Sequence, residues 1–458
     1  MMKVNDEFIL DIKRIGINGE GIGYYNKMAV FVNNAIPGEG VKVKVTKLEK
    51  NMAFAEVVEY MHKSEFRETP ICKFYSECGG CQLMHIAYEK TLEYKKEILI
   101  EALNRYTKLN TKSFEIKNTI PSASTLGYRN RSLMPLRETD YHNIRTTMIK
   151  EGTNHQIDVD ECLIHNDLIN DINKEIIKIA SMLKISVYSN KNKEGILRYL
   201  SVRVNENDEA LVTFVMTKET KETEDLCKKT SEIDYVKGVY VLLNNSFKPG
   251  NILEGKLIHK YNQKYIVMTS GKIKYNIYPN TFFQLNSNQA QVLNELVLKN
   301  LKLSRKEKVL DIYCGVGFIS LYISHLAKEV VGIEYEKSSI TSAKENAVIN
   351  KIKNTRFYSG DAAEVLTKLL KEETFDNVVL DPPRSGLDDK MIDILLNNEF
   401  KKIIYVSCNP ATLAKNLDKL SLKYNVNKIE ILDMFPNTSN VESIALLQLK
   451  DSAKNYHL

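Results

Sequence analysis

From about residue 309 to residue 449 the chain repeats one pattern: a short apolar run, a turn, then a helical stretch. The runs are Val309-Leu310-Asp311-Ile312, Val330-Val331-Gly332-Ile333-Glu334, Arg356–Tyr358, Asn377–Leu380, Lys402–Val406, Ile429–Asp433 and Ile444–Leu449. This alternation predicts a mainly parallel sheet with helices on both faces. In such sheets ligands bind beyond the carboxyl ends of the strands, so the residues closing each strand are the candidates for function. A helix is expected from about Asn288 to Leu301, ahead of the first strand of this region.

The first of these strands ends in Tyr313-Cys314-Gly315-Val316-Gly317, a G-x-G turn, and the second ends in Glu334. A carboxylate in that place can hold both hydroxyls of a ribose. The third glycine of the dinucleotide fingerprint is absent, because Phe318-Ile319-Ser320 follows, so a pyrophosphate is poorly provided for. An adenosine ligand without phosphates, such as S-adenosylmethionine, fits better, and Asp361 after the third strand is placed to reach an adenine.

Two later strands run into small polar loops: Leu380-Asp381-Pro382-Pro383-Arg384, and Ile403-Ile404-Tyr405-Val406-Ser407-Cys408-Asn409-Pro410. A single cysteine after a strand is usually a small buried hydrophobe. Placed where a ligand should sit, Cys408 is instead a candidate nucleophile. Glu442, just before the last strand, is an acid on the same kind of rim; by itself it reads as a solvated strand-end carboxylate.

Length sets the scale. At 458 residues two to four domains are expected. No run approaches eighteen apolar residues, and Met-Met-Lys-Val-Asn-Asp-Glu at the start carries no signal-peptide core, so a cytoplasmic protein is expected with no membrane partner. The net charge of +6 suits a polyanionic partner without establishing one. Seven cysteines in so long a chain do not form a disulfide framework, and their clustering points to metal or catalysis.

Residues 7 to 60 hold short strand candidates at Phe8–Ile12, Met28–Val32, Val41–Val45 and Ala53–Val58, separated by glycines and Pro37-Gly38. Four or five such strands predict a small OB-like barrel. Its Gly-rich loop, Arg14 to Tyr24, is basic at one end and aromatic at the other, a surface suited to single-stranded nucleic acid. Next come Cys72, Cys78 and Cys81, with Gly79-Gly80 between the last two, and a helix from about Tyr88 to Asn104. Three cysteines so close can converge on one metal centre, which needs a fourth ligand. Cys162 is the best candidate, Cys227 and His85 weaker ones, and the three-plus-one spacing fits a [4Fe-4S] cluster better than zinc. Residues 115 to 270 form a β-rich middle region with paired strands at Leu197–Val204 and Leu211–Met216. The basic-aromatic loop Gly127-Tyr128-Arg129-Asn130-Arg131 in that region suits a phosphate or a base.

In combination these motifs resemble the RNA uracil-5-methyltransferase family, in particular its 23S rRNA members with an N-terminal TRAM domain and an iron–sulfur cluster. The resemblance spans nearly the whole chain: the Gly-rich barrel, C-x5-C-G-G-C, Phe283-Gln284-Leu285-Asn286, D-I-Y-C-G-V-G, D-P-P-R-S-G-L, S-C-N-P and the late Val441-Glu442 pair. It implies a multidomain α/β enzyme: a TRAM/OB-like RNA-binding barrel at 1–60, a β-rich central domain with the iron–sulfur site at 61–270, and a Rossmann-like class I methyltransferase domain at 271–458. It further implies that Cys408 is the nucleophile and Glu442 the base, and that Gln284, Tyr313, Glu334 and Asp381 hold S-adenosylmethionine. Cys72, Cys78, Cys81 and Cys162 would bind the [4Fe-4S] cluster. The expected partner is RNA, 23S rRNA first and a tRNA T-loop second, with the protein acting as a monomer. A non-catalytic RNA-binding protein of the same fold is the alternative of another class. The chain departs from the family's usual pattern at Asn437 and Asn440, where histidines are common; asparagine keeps a hydrogen bond but cannot titrate near neutrality.

Overall fold

The structure, a computed structural model, describes residues 2–139, 142–245 and 252–451. The chain forms two compact units: Met1–Ser76 with Gly80–Ser122 and Pro382–Leu458, and Glu77–Gly79 with Ala123–Asp381.

The first unit opens with a closed barrel of β1 (Glu7–Ile15), β2 (Gly21–Tyr25), β3 (Met28–Val32), β4 (Gly40–Leu48) and β5 (Met52–His62), in the order β1-β2-β3-β5-β4. Val41, Val43 and Val45 point into its core while Lys42 and Lys44 alternate outward. Part of the expected Gly-rich loop is strand β2. A Cβ on Gly21 would lie 2.4 Å from the Ala35 oxygen, and one on Gly23 would lie 2.6 Å from the Asp11 oxygen, so these glycines let neighbouring chain close in. Helix α1 (Tyr88–Tyr106) buries Tyr94, Ile98, Leu99, Ala102 and Leu103, one face at helical spacing. Strand β6 (Glu115–Ile120) follows.

The second unit begins with β7 (Met134–Glu138), β8 (Ile144–Ile149), β9 (Gln156–Asp158), α2 (Asp167–Met182), β10 (Leu197–Val204), β11 (Ala210–Met216), α3 (Lys221–Ser231), β12 (Val236–Leu243) and β13 (Lys256–Asn262). Its strands make a sheet ordered β13-β12-β11-β10-β7-β8-β9, and β10 and β11 pair antiparallel as the sequence suggests. Helices α2 and α3 start on side-chain caps, Asn166 and a Thr220–Thr223 capping box. A hairpin of β14 (Ile266–Ser270) and β15 (Ile273–Ile277) and helix α4 (Ser287–Leu301) lead to the doubly wound half. There β16 (Lys308–Ile312), α5 (Phe318–Ile323), β17 (Glu329–Glu334), α6 (Lys337–Ile349), β18 (Thr355–Ser359), α7 (Ala362–Glu372) and β19 (Asn377–Leu380) alternate. The strands run in the order β18-β17-β16-β19, all parallel, and all four residues of β19 are buried, as strands covered on both faces must be.

At Pro382 the chain returns to the first unit through α8 (Asp389–Asn397), β20 (Lys402–Ser407), α9 (Pro410–Leu420), β21 (Tyr424–Leu432) and β22 (Glu442–Leu449). Here the parallel pattern stops. β22 lies antiparallel between β20 and β21, and β21 pairs parallel with β6, which comes from far earlier in the chain. Among the described residues no helix is long and apolar enough to cross a membrane.

Candidate active site

In the second unit the carboxyl ends of β16 and β19 enclose a pocket lined by Phe282, Gln284, Asp311, Tyr313, Gly315 and Asp381, among others. Gln284, Tyr313 and Asp381 of the expected cofactor set therefore meet. Tyr313 closes β16 with φ 70°, a left-handed backbone costly for a side chain of that size. Its N–H and that of Cys314 both donate to the Ile333 oxygen, at 2.8 and 3.1 Å, which fixes the kink. Gly317 starts α5 at φ 81°, where a Cβ would meet Phe357 at 3.2 Å. Glu334 does not line the enclosed pocket. Its Oε2 accepts from Gly315 N–H at 3.2 Å, placing the carboxylate on the pocket's outer rim. The enclosed volume is about 40 Å³, far less than an adenosine-sized ligand needs.

Two carboxyls face this pocket. Burial raises Asp311 to about 7, against the pull of the Ser320 hydroxyl, which donates to Asp311 Oδ2 at 2.5 Å. Burial and then the charge of Asp311 raise Asp381 to about 7 as well. Asp361 caps α7, its Oδ1 accepting from Glu364 N–H at 3.0 Å. A much larger groove of about 1420 Å³ in the same unit, lined by Arg137, Tyr188 and Arg198 among others, contains none of the expected site residues.

In the first unit, Cys408 and Glu442 stand at one end of one strand pair. Ser407 of β20 pairs with Ser443 of β22 as the last pair of the ladder, with Cys408 following Ser407 on one strand and Glu442 preceding Ser443 on the other. Asn409 makes the turn: its Nδ2 donates to the Arg384 oxygen at 3.0 Å and its Oδ1 accepts from Ala411 N–H, capping α9 with Pro410 in the first turn. Arg384 reaches the other loop, Nη2 donating to Asn440 Oδ1 at 2.5 Å. The loop from β21 to Glu442 is tied from below. Lys95 of α1 meets Asp433 at 2.5 Å with both side chains wholly buried, and donates to the Phe435 oxygen at 3.0 Å. Tyr88 OH donates to the other Asp433 oxygen at 2.8 Å. Burial lowers Lys95, opposed by the Asp433 carboxylate. From the cysteine segment, Gln82 and Leu83 N–H both donate to the Asn437 oxygen at 3.0 Å.

Of the remaining cysteines, Cys72 and Cys81 lie in the first unit and Cys78 and Cys162 in the second, where the last two are close enough to influence each other's charge. None of the seven forms a disulfide. Cys314 and Cys227 are buried, Cys227 in the core of the central sheet. Among the described residues no group of three or more His, Cys, Asp or Glu side chains has the arrangement of a metal site.

Residues 87–450 match the family model for tRNA (uracil-5-)-methyltransferases, and residues 3–58 match the TRAM domain. The chain belongs to the tRNA (uracil-5-)-methyltransferase family. An uncharacterized RNA methyltransferase of Halalkalibacterium halodurans is 36% identical over 98% of this chain and 97% of its own length. Another, of Clostridium acetobutylicum, is 36% identical over 98% of both. Among solved structures, the Pyrococcus abyssi tRNA (uracil-54, C5)-methyltransferase in complex with S-adenosyl-L-homocysteine superposes with a TM-score of 0.76, at 29% identity, over 96% of this chain and 100% of that one. This uracil-5-methyltransferase family member is thus an S-adenosylmethionine-dependent RNA methyltransferase with an N-terminal TRAM barrel.

The S-adenosylmethionine that the family implies suits residues that are present. The pocket beside Gly315 offers buried carboxyls to a cationic cofactor, with Glu334 on its rim. At Cys162 the His165 N–H donates to the backbone oxygen at 3.0 Å, and burial first raises the thiol, with Ile164 and His165 N–H groups opposing and Cys78 adding to the rise. Nearby, His165 Nδ1 and Arg129 Nε are buried with no protein partner, polar atoms that a bound group could satisfy. Asp311, Lys95, Asp433 and Arg384 were not singled out from the sequence. The only available signal was Asp311's place, two residues before the G-x-G turn's tyrosine.

Proposed function

We propose that this protein transfers the methyl group of S-adenosylmethionine to C5 of a uridine in RNA, with Cys408 as nucleophile and Glu442 as base. One observation carries the reading: the Ser407–Ser443 pair closes the β20–β22 ladder, with a cysteine next on one strand and a carboxylate next on the other. Gln284, Tyr313, Glu334 and Asp381 hold the cofactor. When bound, it supplies a methyl group on a sulfonium, an electrophile that uracil C5 alone is too weak to attack. The Cys408 thiolate adds to uracil C6, forming the C6–S bond and moving the ring's π pair to C5, which accepts the methyl. Glu442 then takes the proton from C5. The freed pair restores the C5–C6 double bond, the C6–S bond breaks, and Cys408 leaves as thiolate. The uridine must be flipped from its stack to reach the thiol.

The substrate we propose is a uridine of 23S rRNA, supported by the resemblance of the barrel and the four-cysteine set to that branch. In this reading Cys72, Cys78, Cys81 and Cys162 hold a [4Fe-4S] cluster that orders the fold and positions RNA. The functional division is 1–60, 61–270 and 271–458, in a cytoplasmic monomer. The tRNA specificity named for the Pyrococcus abyssi protein supports a second reading, the same chemistry on a tRNA uridine. RNA containing 5-fluorouridine separates them, because fluorine at C5 cannot leave as a cation and the adduct persists. A denaturation-resistant complex on 23S rRNA transcript, absent in Cys408→Ala, is expected. An adduct on tRNA alone moves the substrate, and no adduct on either RNA with cofactor bound leaves only a non-catalytic RNA binder.

A further inference from the structure

The short segment Gly127–Arg131 joins two places that the proposed function keeps apart, both within the second unit. On one side it pairs with the turn after Cys162: Gly127 N–H donates to the Leu163 oxygen, Arg129 N–H to the Ile164 oxygen, and Asn166 N–H to the Arg129 oxygen, at 2.9, 2.9 and 3.0 Å. On the other side it pairs with the segment carrying Gln284. Asn130 N–H donates to the Leu285 oxygen at 2.9 Å, and Arg129 forms a bridge with Asn286, the N-cap of α4. A third contact holds the strip from behind, Val204 N–H donating to the Asn130 oxygen at 2.9 Å.

Asn130 is the buried centre of this strip, 6% exposed. Its Nδ2 donates to the backbone oxygen of Gln284 itself at 2.9 Å and to Ser287 Oγ at 3.0 Å. Its Oδ1 has no protein partner, so the amide is oriented by its donors alone. Gln284 lines the pocket and has its carbonyl on Asn130. A shift of the strip therefore moves Gln284, and a shift of the Cys162 turn moves the strip.

We propose that Asn130 is a positioning residue for the cofactor pocket, and that the Gly127–Arg131 strip couples the turn carrying Cys162 to the segment carrying Gln284. The proposal rests on reading Gln284 as a cofactor contact. Loosening the Cys162 turn should then lower cofactor affinity without touching the pocket, and Asn130 should transmit that effect.

The test is calorimetric titration of S-adenosylhomocysteine into the full-length protein without RNA, together with steady-state kinetics. Gln284→Ala comes first: unchanged affinity would remove the pocket reading itself. Asn130→Asp keeps the size and loses both donors; affinity should fall about tenfold, the factor for a net loss of about 1.4 kcal/mol. KM for S-adenosylmethionine should rise by a similar factor, with kcat and the KM for RNA held within about twofold, a split that general loss of structure does not produce. Asn130→Ser, which keeps one hydroxyl donor, should fall between. Cys162→Ser should weaken binding in the wild-type background and have little further effect beside Asn130→Asp. If Gln284→Ala weakens binding while Asn130→Asp does not, the positioning role is wrong. Equal losses of cofactor and RNA affinity would reduce Asn130 to scaffolding, and strict additivity of Cys162→Ser and Asn130→Asp would overturn the coupling.

Discussion

Replacing Lys95 by methionine tests what holds the loop that delivers Glu442. The Lys95 ammonium and the Asp433 carboxylate are wholly buried, 2.5 Å apart, and the ammonium also serves the Phe435 oxygen at 3.0 Å. Methionine fills nearly the same volume, so packing changes little and the effect is electrostatic. Asp433 would keep the Tyr88 hydroxyl at 2.8 Å, and the Phe435 carbonyl would keep the Thr438 hydroxyl at 2.8 Å, so what is lost is the ammonium charge. Removing one member of a buried pair costs about 3–5 kcal/mol, because the other charge stays buried without compensation. We therefore expect Lys95→Met to cost about 4 kcal/mol, concentrated in α1, β21 and the loop between β21 and β22. The double variant Lys95→Met/Asp433→Leu should recover most of it, since replacing a whole buried pair by apolar groups is often neutral. Hydrogen exchange suits the assay: with two units in the chain, a single melting temperature does not isolate this region. Protection of α1 and β21 amides should collapse in the single variant and return in the double. A loss below about 1 kcal/mol in the single variant, or a double variant worse than the single, would refute the reasoning.

Three further outcomes are expected. Glu442→Gln should still add Cys408 to RNA and methylate it but fail to release it, so methylated RNA stays attached to protein through denaturing electrophoresis; rapid turnover in this variant would place the base elsewhere. Asp311 has a folded pKa of about 7, above its unfolded value, so its contribution to stability is present in acid and lost as pH rises through 7. Asp311→Asn should therefore flatten the fall in thermal stability of the cofactor-free protein between about pH 4 and 7, measured by calorimetry, and an unchanged pH slope would mean the carboxyl titrates normally. Protein purified without oxygen should carry about four irons per chain and lose them in Cys72→Ala or Cys81→Ala, by metal analysis; stoichiometric zinc instead would exclude a cluster.

What the sequence made legible was local. The strands of the doubly wound half could be located because parallel strands covered on both faces are continuous apolar runs, and the turn glycines mark their ends. Gly21–Tyr24 reads as loop in the sequence because glycine weakens a strand in isolation. Only the neighbours at Asp11 and Ala35 show why it is required there. Asp311 was visible as a letter in a motif, but its raised pKa comes from burial and from what surrounds it in the fold, a Ser320 hydroxyl nine residues on and the ends of other strands. The Lys95–Asp433 pair lies 338 residues apart in sequence, and neither residue stands in a pattern that marks it as buried. Strand order was the other gap. Expecting a mainly parallel sheet gave no reason for β22 to enter antiparallel beside β20, yet that reversal puts the start of β22, at Glu442, at the end of β20 that leads to Cys408.

The reversal also explains why the pair can be held accurately. Side chains alternate along a strand, so a slip of one residue between β20 and β22 would turn Glu442 to the opposite face from its present one and separate it from the thiol. Something must forbid that slip, and Tyr405 can. It lies opposite Ala445, a bulky ring against a methyl group, while its neighbours pair as Ile404 with Leu446 and Val406 with Ile444. Its hydroxyl donates to Asn416 Oδ1 at 2.8 Å, and Asn416 is itself fixed to Leu387 through both its amide atoms. A shift in either direction would set this anchored ring against Leu446 or Ile444, where a side chain now occupies the space that Ala445 leaves. The register at the end of β20 is thus written in Tyr405, three residues before Cys408, the nucleophile of the proposed reaction.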